Sequence, residues 1–597
     1  MFKTLLNRFG GGKKKKEQII RQQTDFDKKL VFSLSKSRWP TLEQLKYLPK
    51  YLGRRERWIL VGLFFSLSAS VLFLAVRFYL ANVEATPDFG GEYVEGLAGG
   101  PEYVNPILAQ TNDADMDLSR LIFSGLFKYN AKQELVPDLV DKFEMGEDKR
   151  SYTFRLKDNV YWHDGEKLKA SDVAFTISSI QDTLFKSPLY SSFRGIEVEE
   201  IDERTVRFKL KEPYGPFLGM LTFGILPEHL WYNVPPQSAN LAEYNIKPVG
   251  SGPFKFKSLT KDKSGNIKVY TLVRNENFYG QKSFLEKLVF KFYSDFPSAI
   301  DALQNKNIEG ISFLPKEFRD SLKSKRLEKY FLNLSQYTAI FLNQKNNELL
   351  KDKAVREALA RAIDKNKIIQ DVLGQEGEAI DSPNLSGYVG YSTGIKKNDF
   401  NPTLAAELLD KAGFKFDGGS VRKKGDQVLK ITLTTIDRQE NIAAAETIKN
   451  DWESLGVQVE LRIVSSASAQ REIIRPRAYE ALLYGVIIGF DPDPFPFWHS
   501  SQTGDPGLNL ALYANRKVDK LLEEARQTDN LEERAKKYIE FQNILAEDVP
   551  AIFLYSPRYT YVVDREVRGI EILRINIPSD RFAGIENWYK ETKRKWR

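Results

Sequence analysis

The chain has 597 residues, of which 42% are hydrophobic and 28% charged, a composition typical of globular proteins rather than disordered ones. It contains no cysteine, which excludes disulfides, thiolate metal sites, a cysteine nucleophile and a lipid-modified N-terminal cysteine. Residues 1–57 carry 16 basic and 5 acidic side chains, and the remaining residues carry 72 basic and 75 acidic ones. The net charge of +8 therefore belongs to the N-terminal segment, and a nucleic-acid-binding domain is not indicated.

The N-terminal segment 1–57 is predicted to be a flexible basic tail, and a long apolar run follows it. The 19 residues Trp58–Val76 contain no charge, and as a helix they would measure about 29 Å, close to the hydrocarbon thickness of a bilayer. Three arginines at 54–57 favour a cytoplasmic N-terminus. We predict a single transmembrane anchor at 58–80. A signal peptide cleaved after Ala85 is the alternative, but the length of both segments favours an uncleaved anchor.

Beyond a spacer predicted at 81–91, the sequence has a mixed α/β pattern. The segment SYTFRLK, from Ser151, alternates apolar and polar residues, as does the later segment RTVRFKL, and both are typical of half-buried strands. Between them a turn is expected at residues 164–165, followed by the helix DVAFTISSI with Ser171 or Asp172 as its N-cap.

The second half of the chain indicates a separate α/β lobe. The segments VLKITLTT, ENIAAAETIKNDWESL and VQVELRIV predict a strand, a helix and a strand, and hence two parallel strands joined by a right-handed crossover. Helices are expected around Val518–Ala525 and Leu531–Leu545, and an apolar strand at 551–555. Two lobes with a cleft between them suit the capture of a ligand.

Several motifs resemble the family 5 bacterial solute-binding proteins, the group of oligopeptide and dipeptide receptors. The densest stretch is 137–180, with a Pro-Asp-Leu start, a Tyr-Thr-Phe strand, a His-Asp-Gly turn and a Ser-Asp-Val helix opening. Further similar segments, in the family's order, are YVNPIL, GLFKYN, VGSGPFKF, LVRNENFY, VREALARAID, LLDKAGF and DPDPFPFWHSS. Together these segments extend over nearly all of residues 92–565.

The resemblance implies an α/β, two-lobed periplasmic-binding-protein fold of type II (a Venus flytrap), with an extra domain in lobe one, preceded by one transmembrane helix. Closure of the lobes would bury the ligand. The expected boundaries are lobe one at 92–130, its extra domain at 131–240, lobe one again at 241–337, lobe two at 338–556 and the C-terminal part of lobe one at 557–597.

The resemblance also implies that a peptide is held largely through its backbone, as an added β-strand. Relatives carry an aspartate for the ligand α-ammonium three residues before the Asp-Pro motif, where this chain has Ile488, so Asp491 and Asp493 are the acids that could replace it. Each candidate has a structural alternative: a core strand, a turn shaped by the Asp-Pro pairs, or simple packing of the tryptophan. The candidate ligand-binding residues are Tyr484, Gly485, Ile487, Asp491, Asp493 and Trp498.

No enzymatic motif accompanies these residues, so we predict a binding protein without catalytic residues, metal or cofactor. The expected partners are an oligopeptide, the permease subunits of an ABC importer and the membrane, and the chain is expected to be a monomer in the cell membrane with its binding domain outside. One alternative is the same fold with another solute, such as an oligosaccharide, a metal chelate or a signalling peptide. Another is an envelope scaffold or chaperone, suggested by the long basic tail.

Overall fold

A computed structural model describes residues 46–596 apart from 48, 49, 320, 490, 492 and 529. Most of the predicted basic tail lies outside the described residues. The chain forms two compact units. One comprises the residues up to Thr86 together with those from Lys593 onward, and the other comprises Pro87–Thr592.

Helices and strands are mixed along the whole described chain, in keeping with the predicted α/β class. The helices are α1 (Arg54–Asn82), α2 (Asp113–Ile122), α3 (Ala170–Gln181), α4 (Tyr190–Phe193), α5 (Phe217–Met220), α6 (Glu228–Trp231), α7 (Phe296–Gln304), α8 (Lys353–Arg361), α9 (Lys365–Asp371), α10 (Pro402–Lys411), α11 (Gln439–Ser454), α12 (Ser466–Ala469), α13 (Phe495–Trp498), α14 (Arg516–Gln527) and α15 (Leu531–Asp548). The strands of the first half are β1 (Val83–Pro87), β2 (Glu92–Ala98), β3 (Phe127–Tyr129), β4 (Leu135–Pro137), β5 (Val140–Met145), β6 (Ser151–Leu156), β7 (Glu197–Asp202), β8 (Thr205–Lys209), β9 (Phe254–Lys261), β10 (Ile267–Arg274), β11 (Lys287–Tyr293) and β12 (Gly310–Ile311). The remaining strands are β13 (Leu327–Leu334), β14 (Gln336–Leu342), β15 (Gly377–Ala379), β16 (Lys415–Phe416), β17 (Arg422–Lys424), β18 (Gln427–Val428), β19 (Lys430–Ile436), β20 (Gln458–Val464), β21 (Ala481–Ile487), β22 (Ala551–Asp564), β23 (Arg574–Ile575) and β24 (Thr592–Trp596).

The first unit consists of α1 and a two-stranded ribbon. Within the described part of the chain, α1 is the one helix that is long and apolar enough to cross a membrane, and none of its residues is buried by protein. The predicted spacer 81–91 contains β1, which pairs with β24 at the other end of the sequence. The C-terminal strand therefore lies with the apolar helix, although the sequence assigned 557–597 to lobe one.

The second unit is built on a sheet of 13 strands whose main path runs in the order β20-β19-β21-β14-β22-β12-β2-β11-β10-β9. Its hydrophobic cores fall into two groups. One group draws on residues 93–332 and 559–588, and the other on residues 337–555. These groups define lobe one and lobe two. The 14-residue strand β22 belongs to both, because its first half pairs with β14 and its second half with β13.

Local patterns in the sequence are confirmed where burial alternates along a strand. In β6, Tyr152, Phe154 and Leu156 are buried while Arg155 is exposed. This strand lies in the four-stranded antiparallel sheet β5-β6-β8-β7, which lies within the predicted extra domain. The N-cap of α3 differs from the prediction, because the cap position is Lys169 and the Asp172 carboxylate instead accepts its backbone N–H at 2.8 Å.

The predicted strand–helix–strand unit of lobe two is also confirmed. Strands β19 and β20 are parallel, with Lys430 opposite Gln458, and α11 connects them. Strand β21 lies on the other side of β19 and carries the first of the candidate ligand-binding residues. The start of β21 is therefore paired on both sides, by β19 and by β14.

Candidate functional site

The end of β21 is an open strand edge. On one side the strand pairs with β14 along its whole length, from Ala481 opposite Leu342 to Ile487 opposite Gln336. On the other side β19 pairs only with Ala481 and Leu482. Among the described residues, no strand covers this second side at 484–487, so its backbone groups are available for another extended chain.

The predicted residues on this segment have access to that edge. Tyr484 and Gly485 are half-buried, Val486 is buried, and Ile487 is 58% exposed. A Cβ atom at residue 485 would lie only 2.7 Å from the Nε2 atom of Gln336, so glycine lets this amide approach the strand. Val486 is buried, as the core-strand alternative predicts. Its neighbours Gly485 and Ile487 are accessible from the surface, as ligand binding requires.

Asp491 lies in a two-point ion pair with a buried arginine of α15. Arg534 donates from Nη1 to Oδ2 at 2.8 Å and from Nη2 to Oδ1 at 2.5 Å, and its side chain is 6% exposed whereas that of Asp491 is 27% exposed. Burial lowers the pKa of Arg534, but the hydrogen bonds and charges of Asp491 and Tyr538 together more than offset this and raise it. The negative charge of Asp491 is thus balanced inside lobe two.

Asp493 has its own arginine partner, on α14. Arg526 donates to Oδ2 of Asp493 from Nε at 2.8 Å and pairs with it through Nη2 at 2.7 Å. Burial raises the pKa of Asp493, and the charge and hydrogen bonds of Arg526 partly offset the rise. Both acids of the Asp-Pro-Asp-Pro motif therefore have a cationic partner.

Arg526 also connects the two lobes. Its guanidinium lies 4.0 Å from the ring centre of Phe495 in lobe two and 5.0 Å from that of Tyr214 in lobe one. In addition, the backbone N–H of Gly215 donates to the carbonyl of Arg526 at 2.9 Å. Burial and the charge of Asp493 raise the pKa of Tyr214 to about 12, so this phenol is neutral at ordinary pH. The contact is a cation–π bridge across the lobes.

Trp498 is placed in the core of lobe two. It is 1% exposed, and its ring lies 5.7 Å from Phe553 and 6.2 Å from Phe341. This position corresponds to the packing alternative considered above, in which the indole stabilises the floor of the lobe rather than stacking on a ligand.

The wall of lobe one near Asp491 contains a cavity of about 390 Å³, a size within the usual range of ligand pockets. Residues that line it include Gln110, Phe123, Tyr129, Phe223 and Ala583. Burial raises the pKa of Tyr129, and the charge of Asp491 from lobe two raises it further, so the two groups are close enough to interact. The cavity itself is lined by residues of lobe one.

The family profile of the bacterial extracellular solute-binding proteins, family 5 Middle, matches residues 134–507. The chain belongs to this family. It is 29% identical over 514 residues to the oligopeptide-binding protein AppA of Bacillus subtilis, and the alignment covers 84% of this chain and 92% of AppA. The resemblance predicted from the motifs is thereby confirmed, and the chain is a solute-binding protein of the kind that serves ABC importers.

Solved structures of family 5 members confirm the two-lobed fold. The structure of AppA from Bacillus subtilis in complex with a nonapeptide is similar with a TM-score of 0.66 at 28% identity, and it covers 84% of this chain and 99% of AppA. NikZ from Campylobacter jejuni in complex with Ni(L-His) is similar with a TM-score of 0.68 at 28% identity, and it covers 84% of this chain and 99% of NikZ.

Sequence reasoning missed four side chains that take part in the contacts described above: Tyr214, Gln336, Arg526 and Arg534. In the interactions described above, these side chains lie between 31 and 312 residues from their partners along the chain. The smallest separation is that of Phe495 and Arg526, and the largest is that of Tyr214 and Arg526. The local sequence around a buried arginine on an amphipathic helix does not differ from that around an exposed one. The one signal that could have indicated these arginines is that two partly buried aspartates require cationic partners.

Proposed function

We propose that the chain captures oligopeptides outside the cytoplasm and delivers them to the permease subunits of an ABC importer. The observation that carries this proposal is the open edge of β21 at 484–487, where an extended peptide can add as a strand beside β21, on the side opposite β14. The names of relatives, among them an oligopeptide-binding protein and a dipeptide-binding protein, support the same class of ligand.

The proposed binding mode is backbone pairing with little dependence on peptide sequence. Tyr484, Gly485 and Ile487 would contribute backbone groups to the ladder, and the alternate side chains of the peptide would point towards the two lobe walls. The cavity of about 390 Å³ in lobe one has room for such side chains.

Asp491 and Asp493 are proposed to face the ligand as parts of ion pairs rather than as free carboxylates. A peptide α-ammonium approaching Asp491 meets a group that already accepts two hydrogen bonds from Arg534. We therefore expect the ammonium to contribute less than it would beside an unpaired carboxylate, and the backbone ladder to contribute more.

We further propose that α1 spans the membrane once, with the N-terminus in the cytoplasm. The uncharged run Trp58–Val76 and the complete exposure of the helix support the span, and the arginines at 54–57 support its orientation. Confining the receptor, as a monomer, to the bilayer of its importer raises its effective concentration there.

The decisive experiment begins with native mass spectrometry of the full-length chain in detergent, purified without added ligand. A ladder of co-purified masses that fit short peptides supports the proposal. A single non-peptide mass indicates another solute, and an empty cleft in every preparation favours the scaffold alternative.

The binding mode is then tested by N-methylation of one backbone amide at a time in a co-purified peptide. In a strand ladder only every second N–H of the ligand points towards β21, so affinity should fall at alternate positions. Each lost bond in the ladder should weaken binding by roughly tenfold, with the unmethylated peptide as control. Equal losses at neighbouring positions, or none, would contradict strand addition.

A further inference from the structure

The C-terminal strand β24 combines basic and aromatic side chains and lies in the same compact unit as the apolar helix α1. Its sequence is Thr-Lys-Arg-Lys-Trp, without an acidic residue, and all five residues are exposed. It pairs with β1, which begins immediately after the last residue of α1. The hydroxyl of Thr86 in β1 donates to the carbonyl of Lys593 at 3.3 Å, which adds a side-chain contact to the ribbon.

The aromatic end of β24 packs on the last turns of α1. The ring centre of Trp596 lies 6.3 Å from that of Phe78 and 5.6 Å from that of Tyr79. The guanidinium of Arg594, on the same face of the strand, lies 5.9 Å from the Tyr79 ring. The face of β24 that carries Arg594 and Trp596 thus packs against the end of the helix.

The helix geometry fixes the depth of these contacts. If the uncharged run fills the hydrocarbon core and ends at Val76, then Phe78 and Tyr79 lie about 3–4.5 Å beyond it, at 1.5 Å per residue. The headgroup layer on each side of the core is about 5–7 Å thick. Trp596, in contact with both residues, therefore lies in the headgroup layer, where tryptophan and tyrosine are enriched in membrane proteins.

The charges around this position match a phospholipid surface. Arg77, Arg594 and Lys595 are exposed cations at or beyond the end of the apolar run. Basic side chains next to a membrane are attracted to the phosphates of anionic lipids, and arginine binds phosphate through two donors.

We propose that β24 is a second membrane-binding segment, which contacts anionic phospholipid headgroups at the face of the bilayer where α1 emerges. This inference rests on the proposed membrane span of α1.

The absence of cysteine makes the test direct, because one introduced cysteine can carry a nitroxide spin label. The full-length chain is reconstituted in vesicles of equal parts phosphatidylcholine and phosphatidylglycerol, and label depth is measured from collisions with oxygen and with a water-soluble nickel chelate. Labels are placed at Leu67→Cys, in the middle of the apolar run, and at Arg594→Cys, with Lys595→Cys as a second ribbon position.

The expected result is hydrocarbon depth at residue 67 and headgroup depth at residue 594 or 595, with loss of the headgroup signal when Trp596→Ala is added. Depth at 67 together with full water exposure at both ribbon positions would overturn the inference and leave the membrane span intact. Water exposure at 67 as well would overturn the span itself, and this inference with it.

Discussion

The pairing of Asp491 with Arg534 makes a specific prediction about how the ends of a peptide are recognised. Replacing Arg534 with methionine removes both hydrogen bonds, at 2.8 and 2.5 Å, and leaves a carboxylate that is 27% exposed in the cleft. A peptide with a free α-ammonium can then take the place of the guanidinium. The wild-type chain should bind free and N-acetylated forms of a co-purified peptide with similar affinity, and Arg534→Met should prefer the free form.

The size of the preference follows from the strength of a hydrogen bond to a charged group. Such bonds contribute about 1.5–3 kcal/mol, which corresponds to a preference of about tenfold to a hundredfold. The variant should also lose stability, because removing one partner of a buried pair costs about 3–5 kcal/mol, and the exposure of Asp491 moves the cost towards the lower value. Thermal unfolding shows whether the variant remains folded at the assay temperature.

The assay is isothermal titration calorimetry with the two forms of one peptide. Arg534→Lys keeps the positive charge and should retain the wild-type ratio of affinities, and Arg471→Met removes an exposed arginine of the same lobe and serves as a matched control. An unchanged ratio in Arg534→Met would refute the reasoning. A strong preference of the wild-type chain for the free peptide would refute it equally, because it would mean that Arg534 does not neutralise Asp491.

Three further predictions concern the bridge, the buried charges and the core. Arg526→Leu removes the cation–π contact with Tyr214, which should weaken ligand binding by about 2–30-fold in calorimetry. Tyr214→Phe keeps the aromatic ring and should bind ligand with the wild-type affinity. Equal affinities of the wild-type chain and both variants would contradict the bridge. Burial raises the pKa of Asp117 to about 7, although the charge and hydrogen bond of Arg581 oppose the rise. Near pH 6 the native state therefore holds a proton that the unfolded state releases. The free energy of unfolding should fall by about 1.4 kcal/mol from pH 6 to pH 8. That decrease should be absent from Asp117→Asn in denaturant titrations at the two pH values. Trp498→Leu should lower the free energy of unfolding by about 2–4 kcal/mol with little change in ligand affinity, because the indole packs in the core.

Much of the fold could be predicted because its signals are local. The alternation in β6 and the strand–helix–strand pattern around α11 depend on neighbouring residues, and the structure confirms both. The pairing of β1 with β24 had no such signal, since the two strands lie about five hundred residues apart and the second one is entirely polar except for Trp596. Contacts of this kind arise from the topology of the whole chain.

The candidate site shows the same division between local and long-range information. The position of the strand segment 484–487 followed from motif order, but its open edge depends on where β19 stops pairing, which no local pattern reveals. Likewise the two aspartates were identifiable from the motif, whereas Arg526 and Arg534 are ordinary helical residues until the fold brings them to the cleft.

The two aspartates of the motif have different consequences for ligand binding, although they are only two residues apart. Asp491 holds Arg534, and both belong to lobe two, so we expect this pair to set the charge that a ligand meets. Asp493 holds Arg526, whose guanidinium and carbonyl contact Tyr214 and Gly215 in lobe one, so this pair contributes to the contact between lobes. Changes at the first pair should therefore alter which peptide ends are preferred, and changes at the second should alter the affinity for all ligands alike, because the contacts of Arg526 with lobe one favour closure.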